Sequence, residues 1–565
     1  MAKTLAGIPA TTRSPRAALP HRPPWGPILS TGCGTALIAL HARAYGAWLI
    51  DDAGITFAYA RNLTSGEGWV LQPGLPPVEG YSNPTWLALL ALGRVLGVFD
   101  SGTVFGIPDY VVFPKALALF CCAGVLGFSY VAARALTNRA AWAPFITGAV
   151  LAALPSFVMW SFSGLENPLY AFITAAMATL LLRARLAGTL LHWRVAAGSG
   201  AVAVLAALTR PDGALLALAF PLLVLCSSRH EPRAAIRAIL VFCSSFIVPF
   251  GLVVLWRFLH FGLLVPNTAV AKGSVSLGWH QVEGLSALVA YPGWFVVFAF
   301  LAGLGVLARH REPRTALPAL LIPLTLAVLS YTLLPQDWMS HHRFATPVWT
   351  LAAMSTALVV VIGVAEHRGT FRILLVLVSL LAGVLSAPRL YRDATSFRTA
   401  PDVPLCSVAE RYGRVPDHYA DLLGLRNGTL LVPDVGGTTL TSRLHVVDLA
   451  GLTDAAIAEH YRRGDMRGLR DHVFDHVRPT IIHAHGHWSR TTGVLDDPRL
   501  ARDYALVHTD QALAPNQDWV REDVLPGPER LAALRADAQR YIDEIDLRDA
   551  TAPTRSCGPV LRDGR

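Results

Sequence analysis

Charged residues are scarce in this chain. Only 15% of its 565 residues are Asp, Glu, Lys or Arg, whereas 53% are hydrophobic. A soluble protein carries about 25% charged residues. The deficit excludes an ordinary soluble globular protein, and several apolar runs near or above about 18 residues indicate a polytopic membrane protein.

Lysine is almost absent. The three lysines are Lys3, Lys115 and Lys272, so arginine supplies nearly all of the positive charge. The formal net charge is +9 at pH 7, but the arginines cluster in short loops between apolar runs and form no basic stripe interleaved with aromatic residues. This distribution follows the positive-inside rule. It argues against nucleic acid as a partner and makes the lipid bilayer the expected surroundings.

Cysteine pairs of the CxxC type are lacking, which excludes a zinc ribbon. Five of the seven cysteines fall in apolar segments, where a thiol behaves as a small hydrophobic group. The other two, Cys406 and Cys557, lie in the polar C-terminal part of the chain. If that part faces an oxidising compartment, the two cysteines could form a disulfide.

Eleven apolar runs are candidates for membrane spans, and residues 84–99 form a shorter twelfth run with Arg94 in its middle. If residues 84–99 do not cross the membrane, five arginine-rich loops all face the cytoplasm; if they cross, all five loops face outward, against the positive-inside rule. We therefore predict about 11 transmembrane helices plus one short re-entrant or juxtamembrane helix. The eleven runs centre on residues 28–49, 110–133, 142–160, 167–183, 195–209, 213–228, 235–258, 291–308, 315–334, 344–365 and 370–387.

The same count divides the chain into three parts. Residues 1–27 are predicted to be a cytoplasmic N-terminal tail, and residues 28–387 a transmembrane domain whose first external loop is 51–109. Residues 388–565 are polar, with strand-like and helix-like stretches, and predict an extracytoplasmic soluble α/β domain. The first apolar run has no clear cleavage site, so we expect a retained span. The loops rich in carboxylates, histidines and asparagines fall outside, which makes that face the expected working face.

Two adjacent carboxylates, Asp51 and Asp52, begin the stretch DDAGITFAYARNL directly after the first apolar run. The pattern predicts an amphipathic helix. One interpretation is structural, because an Asp at a helix start accepts backbone N–H bonds and complements the helix dipole. The other is chemical, because paired carboxylates at a membrane edge raise the pKa of one member, as a general base requires. One Asp could also cap while the other reacts.

Candidate substrate-binding residues occupy the other outer loops. Glu79 either binds a sugar hydroxyl or braces its loop, and Arg210 either binds substrate or pairs with Asp212 in a turn. Lys272 either contacts a phosphate or is simply solvated. In PQDWMSHHRF, Arg and His suit a phosphate and Trp suits a sugar face or the membrane interface, although an ordinary interfacial girdle would look the same. The candidates are Glu79, Tyr81, Asn83, Glu166, Arg210, Asn267, Lys272, Asp337, Trp338, His341, His342 and Arg343.

The segment IIHAHGHW spaces His483, His485 and His487 by two residues. On a strand this spacing places the three rings on one side. Three such rings could bind a metal ion, but no acidic residue is near in sequence. We therefore favour a histidine-rich strand without a metal.

Seven motifs follow one another in a specific order: DDAGITFAYARNLTSGEGWV, VEGYSNPTW, SGLENPLY, LTRPDG, VPNTAVAKG, QDWMSHHRF and VPDVGGTTLTSRLHVVDLAGLTD. In this order they resemble the GT-C superfamily of membrane glycosyltransferases, which use polyprenyl-phosphosugar donors. Within the superfamily the chain looks like the terminal arabinofuranosyltransferases of actinobacterial cell walls. The resemblance extends from about Ala47 to Asp454.

The resemblance implies a GT-C fold in the plasma membrane and an inverting transfer on its outer face. The donor would be decaprenylphosphoryl-arabinofuranose, and the acceptor the arabinan of arabinogalactan and lipoarabinomannan. An Asp in the first external loop would act as the base, which corresponds to Asp51 or Asp52, with Asp51 preferred. No cofactor would be required, a divalent cation would at most assist, and we expect a monomer. The alternatives are a mannosyl- or other hexosyltransferase of the same superfamily and, less favoured, a lipid-linked sugar flippase or a membrane scaffold.

Overall fold

The computed structural model describes residues 25–273, 279–334, 339–367, 369–510 and 516–561. Residues 25–399 are mostly helical, whereas residues 400–561, called the tail below, combine helices with a sheet. The helices of the first part are α1 Trp25–Arg43, α2 Asp51–Thr64, α3 Pro84–Val95, α4 Asp109–Arg134, α5 Ala143–Ala152, α6 Pro155–Ser161, α7 Asn167–Leu186, α8 Trp193–Thr209, α9 Ala219–Ser227, α10 Pro232–Phe261, α11 Asn267–Ala271, α12 Trp279–Ala290, α13 Trp294–Leu307, α14 Arg311–Leu333, α15 Thr346–Glu366 and α16 Thr370–Thr399. The helices of the tail are α17 Leu405–Val408, α18 Val415–Leu422, α19 Gly436–Thr441, α20 Ala455–Arg463, α21 Met466–Asp471, α22 Gly486–Thr492, α23 Pro498–Asp503 and α24 Pro528–Thr551.

Within the described residues, six helices are long and apolar enough to cross a membrane: α4, α7, α10, α14, α15 and α16. Two pairs of consecutive helices are long and apolar enough only when each pair is taken together: α5 with α6, bent by 90°, and α12 with α13, bent by 83°. If each pair is one span, the number rises to eight. A polytopic helical membrane protein is thus confirmed, while the count of eleven stays a prediction. The last long helix, α16, ends at Thr399, beyond the boundary predicted at residue 387.

The short run at residues 84–99 forms α3, which has 12 residues. At 1.5 Å per residue it is about 18 Å long, less than the roughly 30 Å of a bilayer core. The charge of Arg94 is paired: its Nη1 lies 2.7 Å from Oδ2 of Asp100, and the same carboxylate also binds Arg61. A two-strand hairpin follows, with β1 Thr103–Val104 antiparallel to β2 Ile107–Pro108.

The tail contains a five-stranded mixed sheet in the order β4-β3-β5-β7-β6. Strand β3 is parallel to β4 and to β5, while β7 is antiparallel to both β5 and β6. The inner strand β5 reads IIHAH and is buried except at its end, as expected of a strand covered on both faces. The strands are β3 Thr429–Val432, β4 His445–Asp448, β5 Ile481–His485, β6 Tyr504–Thr509 and β7 Asn516–Arg521.

The tail is fixed to the loop between α1 and α4. Ile50 and Pro404 form an isolated β-bridge, and the Trp48 indole donates to the carbonyl of Asp402 at 2.9 Å. Between α2 and α3, the Gln72 side-chain amide donates to the carbonyl of Leu444 and accepts a hydrogen bond from the N–H of Val446 in β4. The contacts of Asp402 and Pro404 hold the start of the tail beside the residues that lead into α2, where the two adjacent carboxylates lie.

Candidate active site

Asp51 lies in the first turn of α2, and its side chain is directed at the tail. Its Oδ1 accepts the N–H of Gly437 at 2.6 Å, and its Oδ2 accepts the N–H of Gly436 at 3.1 Å. Those two glycines begin α19, so Asp51 caps a tail helix and not its own helix, whose N-cap residue is Ile50. The interpretation that Asp51 caps α2 is therefore wrong. Its carboxylate instead joins α2 to α19, two helices that are distant in sequence.

Asp51 is 3% exposed. Burial, reinforced by the negative charges of Asp434 and Asp52, raises the pKa of Asp51 well above the usual range of an aspartate, while the N–H groups of Gly436 and Gly437 oppose the shift. A carboxyl group with a raised pKa accepts a proton more readily near neutral pH. The electrostatics of this position suit a general base.

Asp52 is less buried and points to a different neighbour. Its side chain is 20% exposed, and its Oδ2 lies 3.8 Å from Nη1 of Arg343. The Arg343 guanidinium is also close to the rings of Trp160 and Phe344, at 6.0 and 5.3 Å. The QDWMSHHRF motif and the DDAG motif therefore meet in space, through their Arg343 and Asp52.

A buried polar network lies beneath this junction. The Asn83 amide donates to Glu166 at 2.8 Å, and Nη1 of Arg210 lies 3.3 Å from the other oxygen of Glu166. Arg210 also pairs with Asp212 at 2.9 Å, which confirms the local ion pair predicted for the turn. Arg210 lies over the ring of Phe344 at 4.5 Å. Asn83, Glu166 and Arg210 thus use their polar groups on one another. Because Arg210 packs against Phe344, next to Arg343, this network suits a structural support of the site.

Glu79, Tyr81 and Asn267 fix the first loop to the tail and to α10. Both oxygens of Glu79 are bound by Arg257, at 2.5 and 3.0 Å. Tyr81 is 3% exposed and packs against Tyr59 with ring centroids 4.9 Å apart. The side-chain amide of Asn267 donates to the carbonyls of Gly451 and Leu452, each at 2.9 Å. This geometry favours the bracing interpretation of Glu79 over a sugar contact.

His341 and His342 line a cavity of about 420 Å³ beside the same junction. Both residues have positive φ, 56° and 55°, which is uncommon for residues other than glycine and marks a constrained turn. Burial lowers the pKa of His342 to about 4, so this ring is neutral at pH 7. Its Nδ1 is hydrogen-bonded to the Tyr331 hydroxyl at 2.7 Å. Nδ1 of His341 lies 2.8 Å from Asp393. The lining residues are Tyr291, His341, His342, Arg389, Arg392, Asp393 and Ser396.

The remaining candidates lie apart or outside the described part of the chain. Lys272 is exposed after the short helix α11, and Asp337 and Trp338 fall outside the described residues. His483 and His485 do share one side of β5, as the spacing predicted, and their rings are in hydrogen-bond contact at 2.9 Å. The prediction is wrong for His487, because β5 ends at His485 and His487 lies in α22. Among the described residues, no cluster of three or more His, Cys, Asp or Glu side chains is arranged to hold a metal ion.

Sequence reasoning missed the residues that the tail and α16 contribute. Asp434, Gly436 and Gly437 belong to VPDVGG, a motif that the sequence marks only as part of a resemblance. Arg389 and Arg392 lie on α16, where they would be taken for basic residues at a helix end. An Asp before a Gly-Gly pair, directly after a buried strand, is the signal that could have identified the first group, because such a turn exposes backbone N–H groups.

The chain was compared with family models, curated proteins and solved structures. No family model matches the chain. The terminal beta-(1->2)-arabinofuranosyltransferase of Mycobacterium tuberculosis is 27% identical over 287 residues, which cover 48% of this chain and 43% of that protein. The aligned part therefore spans less than half the length of this relative.

Two solved structures share the architecture over nearly their whole length. ArnT from Cupriavidus metallidurans bound to undecaprenyl phosphate superimposes with a TM-score of 0.52 at 14% identity, covering 89% of this chain and 99% of ArnT. The same protein in its apo state gives 0.53 at 14% identity, covering 88% and 100%. This similarity confirms the fold that the GT-C resemblance predicted.

Proposed function

We propose that the chain is an inverting membrane glycosyltransferase that moves arabinofuranose from decaprenylphosphoryl-arabinofuranose to the ends of cell-wall arabinan. The arabinan would be that of arabinogalactan and lipoarabinomannan. Partial similarity to an arabinofuranosyltransferase supports the sugar, and the shared fold of a protein that binds undecaprenyl phosphate supports a lipid-linked donor. The arginine-rich loops support a plasma-membrane protein whose site and tail lie on the extracytoplasmic side.

The observation that carries the proposal is the Asp51 carboxylate at the junction of α2 and the tail. It is buried, its orientation is fixed by two backbone N–H groups, and burial and neighbouring carboxylates raise its pKa. These are the properties of a general base that must hold one geometry while it removes a proton.

In the proposed step, Asp51 takes the proton of an acceptor hydroxyl while the hydroxyl oxygen attacks the anomeric carbon of the donor. The bond between that carbon and the phosphate oxygen breaks on the opposite face, so the configuration inverts. Both bonding electrons leave with the polyprenyl phosphate, which is a competent leaving group without an acid.

The cavity beside the junction suits the leaving phosphate. Two guanidinium groups, those of Arg389 and Arg392, and the ring of His341 line it. Arginine matches phosphate oxygens with paired donors. Burial keeps His342 neutral, and Asp393, which also lines the cavity, lies 2.8 Å from His341. The positive charge in this cavity therefore comes mainly from the arginines. Lys272 lies exposed elsewhere and is not assigned to this cavity.

The test is transfer by the purified protein in lipid nanodiscs. Decaprenylphosphoryl-arabinofuranose and decaprenylphosphoryl-mannose are supplied separately, with an arabinan oligosaccharide as acceptor. We expect turnover of the arabinose donor and none by Asp51→Asn, with unchanged elution and melting temperature. Asp52→Asn is the matched variant: if it is inactive and Asp51→Asn is active, the base is Asp52.

Two outcomes would replace the proposal. Turnover of the mannose donor alone would indicate a hexosyltransferase. Movement of a lipid-linked sugar across the bilayer of sealed vesicles, without transfer to any acceptor, would indicate a flippase.

A further inference from the structure

Four side chains of the tail form a continuous hydrogen-bonded chain that ends beside Asp51. Nδ1 of His483 lies 2.5 Å from Oδ1 of Asp518, and its Nε2 lies 2.9 Å from Nδ1 of His485. Nε2 of His485 lies 3.0 Å from Oδ2 of Asp434. We call Asp518, His483, His485 and Asp434 the His–Asp array. The ring of Tyr412 stacks on both imidazoles, with centroid distances of 4.1 and 4.9 Å.

The inner end of the array has a fixed protonation state. Oδ2 of Asp518 accepts hydrogen bonds from Arg411 at 3.0 Å and from the Tyr419 hydroxyl at 2.8 Å. Against the effect of burial, Arg411 and His483 lower the pKa of Asp518. Burial lowers the pKa of His483 to about 4. Asp518 is therefore ionised near neutral pH, and His483 is neutral, with its single proton on Nδ1 facing Asp518.

Counting protons shows what the outer end must hold. Three contacts between donor and acceptor atoms each need one proton. Two neutral imidazoles supply only two, so the third must reside between His485 and Asp434. That proton has two possible positions: on Nε2 of His485, which gives an imidazolium facing the Asp434 carboxylate, or on Asp434 itself. The first position pairs opposite charges 3.0 Å apart, and it is the one on which the proposal below depends.

The outer end of the array acts on Asp51. Asp434 precedes Gly436 and Gly437, whose N–H groups bind the Asp51 carboxylate. The negative charge of Asp434 is one of the causes that raise the pKa of Asp51. A cation on His485, 3.0 Å from Asp434, offsets that charge.

We propose that the His–Asp array is a positioning device of the active site, in which cationic His485 neutralises Asp434 and thereby keeps Asp51 in the ionised form that can accept a proton. The proposal rests on the proposed function for its catalytic meaning, but the ionisation of Asp51 can be measured without substrate. The titratable groups that face Asp51 are Asp52, Asp434 and Tyr412, and those that face His485 are His483, Asp434 and Tyr412.

The experiment is an infrared titration of the full-length protein in nanodiscs. The protonated carboxyl band of Asp51 is identified as the band that Asp51→Asn removes, and its midpoint is followed against pH. In His485→Gln the charge of Asp434 is no longer offset, so we expect the midpoint to rise by about one pH unit. Adding Asp434→Asn to that variant removes the charge itself and should return the midpoint to the wild-type value or below.

His487→Gln is the matched control, because His487 is exposed on the same segment and contacts only Thr491 among the described hydrogen bonds. Its midpoint should equal the wild-type midpoint. The acidic limb of the pH profile of kcat/KM should shift upward with the infrared midpoint in His485→Gln, and added imidazole should partly reverse the shift.

An unchanged Asp51 midpoint in His485→Gln would overturn the proposal, and so would a uniform loss of activity with an unshifted pH profile. If the wild-type protein transfers neither sugar but the midpoint shifts as expected, the array is supported and the proposed function fails.

Discussion

Arg257 binds both carboxylate oxygens of Glu79. This ion pair joins the membrane helix α10 to the loop between α2 and α3, which contacts the tail through Gln72. Removing one partner of a buried ion pair costs about 3–5 kcal/mol, because the other charge is left uncompensated. We expect Glu79→Gln to lower the melting temperature in detergent and to lose activity only through unfolding. Glu67→Gln, at an exposed position of the same loop, should melt like the wild type. Loss of transfer at an unchanged melting temperature would instead indicate that Glu79 binds the sugar.

The contact between Gly436 and Asp51 leaves no room for a side chain. A Cβ atom on Gly436 would lie 1.9 Å from the backbone oxygen of Asp51 and 2.8 Å from its Oδ1. We expect Gly436→Ala to move the tail off α2, abolish transfer and expose the junction to limited proteolysis. Gly102→Ala is the control, since a Cβ there meets nothing within 4 Å. Normal activity in Gly436→Ala would show that the junction is not part of the site.

The buried His483 makes the stability of the tail depend on pH. Its pKa is lowered to about 4, whereas an unfolded histidine titrates near 6.5. Between these values the unfolded chain binds one proton more than the folded chain, so stability falls as pH falls, by at most about 1.4 kcal/mol per pH unit. Thermal unfolding of His483→Gln should lose this slope between about pH 6.5 and 4, and His487→Gln should keep it. An identical slope in both variants would contradict the assignment.

Arg392 lines the cavity proposed for the donor phosphate. A charged hydrogen bond is worth about 1.5–3 kcal/mol, so Arg392→Gln should raise KM for the lipid donor about tenfold or more. If the contact is equally strong in the transition state, kcat stays unchanged. Arg372→Gln, near the other end of α16, is the control. A fall in kcat with an unchanged KM would argue against a phosphate contact.

Cys406 and Cys557 are free thiols in this structure and lie in hydrogen-bonding contact, both buried. The predicted disulfide, which this structure does not contain, stays a prediction. Alkylation after denaturation without reductant should label five of the seven cysteines if the bond forms in the native compartment. A disulfide closing so long a loop stabilises a protein by up to about 5 kcal/mol, so reduction should lower the melting temperature. Seven labelled cysteines would refute the bond.

Features determined by nearby residues were predictable from the sequence. The pattern of DDAGITFAYARNL predicted α2, which runs from Asp51 to Thr64. The two-residue spacing of His483 and His485 placed both rings on one side of β5. The turn at LTRPDG predicted the ion pair of Arg210 with Asp212. In each case the partners lie within a few positions, so periodicity or turn chemistry suffices.

Pairings between distant residues were not predictable. Glu79 and Arg257 are 178 positions apart, and His483 and Asp518 are 35 positions apart on antiparallel strands. Nothing local distinguishes such a carboxylate from one that binds substrate, because burial and a partner are properties of the folded chain. For the same reason, the histidine spacing left a metal site as the less favoured alternative and could not reveal the array.

The seat of Asp51 on Gly436 also constrains the order of folding. The two residues are 385 positions apart, and at 5–20 residues per second the ribosome needs on the order of 20–80 s to span that interval. During that time α2 has been made, but the backbone groups that bind its first carboxylate do not yet exist. The contact between Asp51 and α19, and with it the candidate active site, therefore forms only after Gly436 has been synthesised.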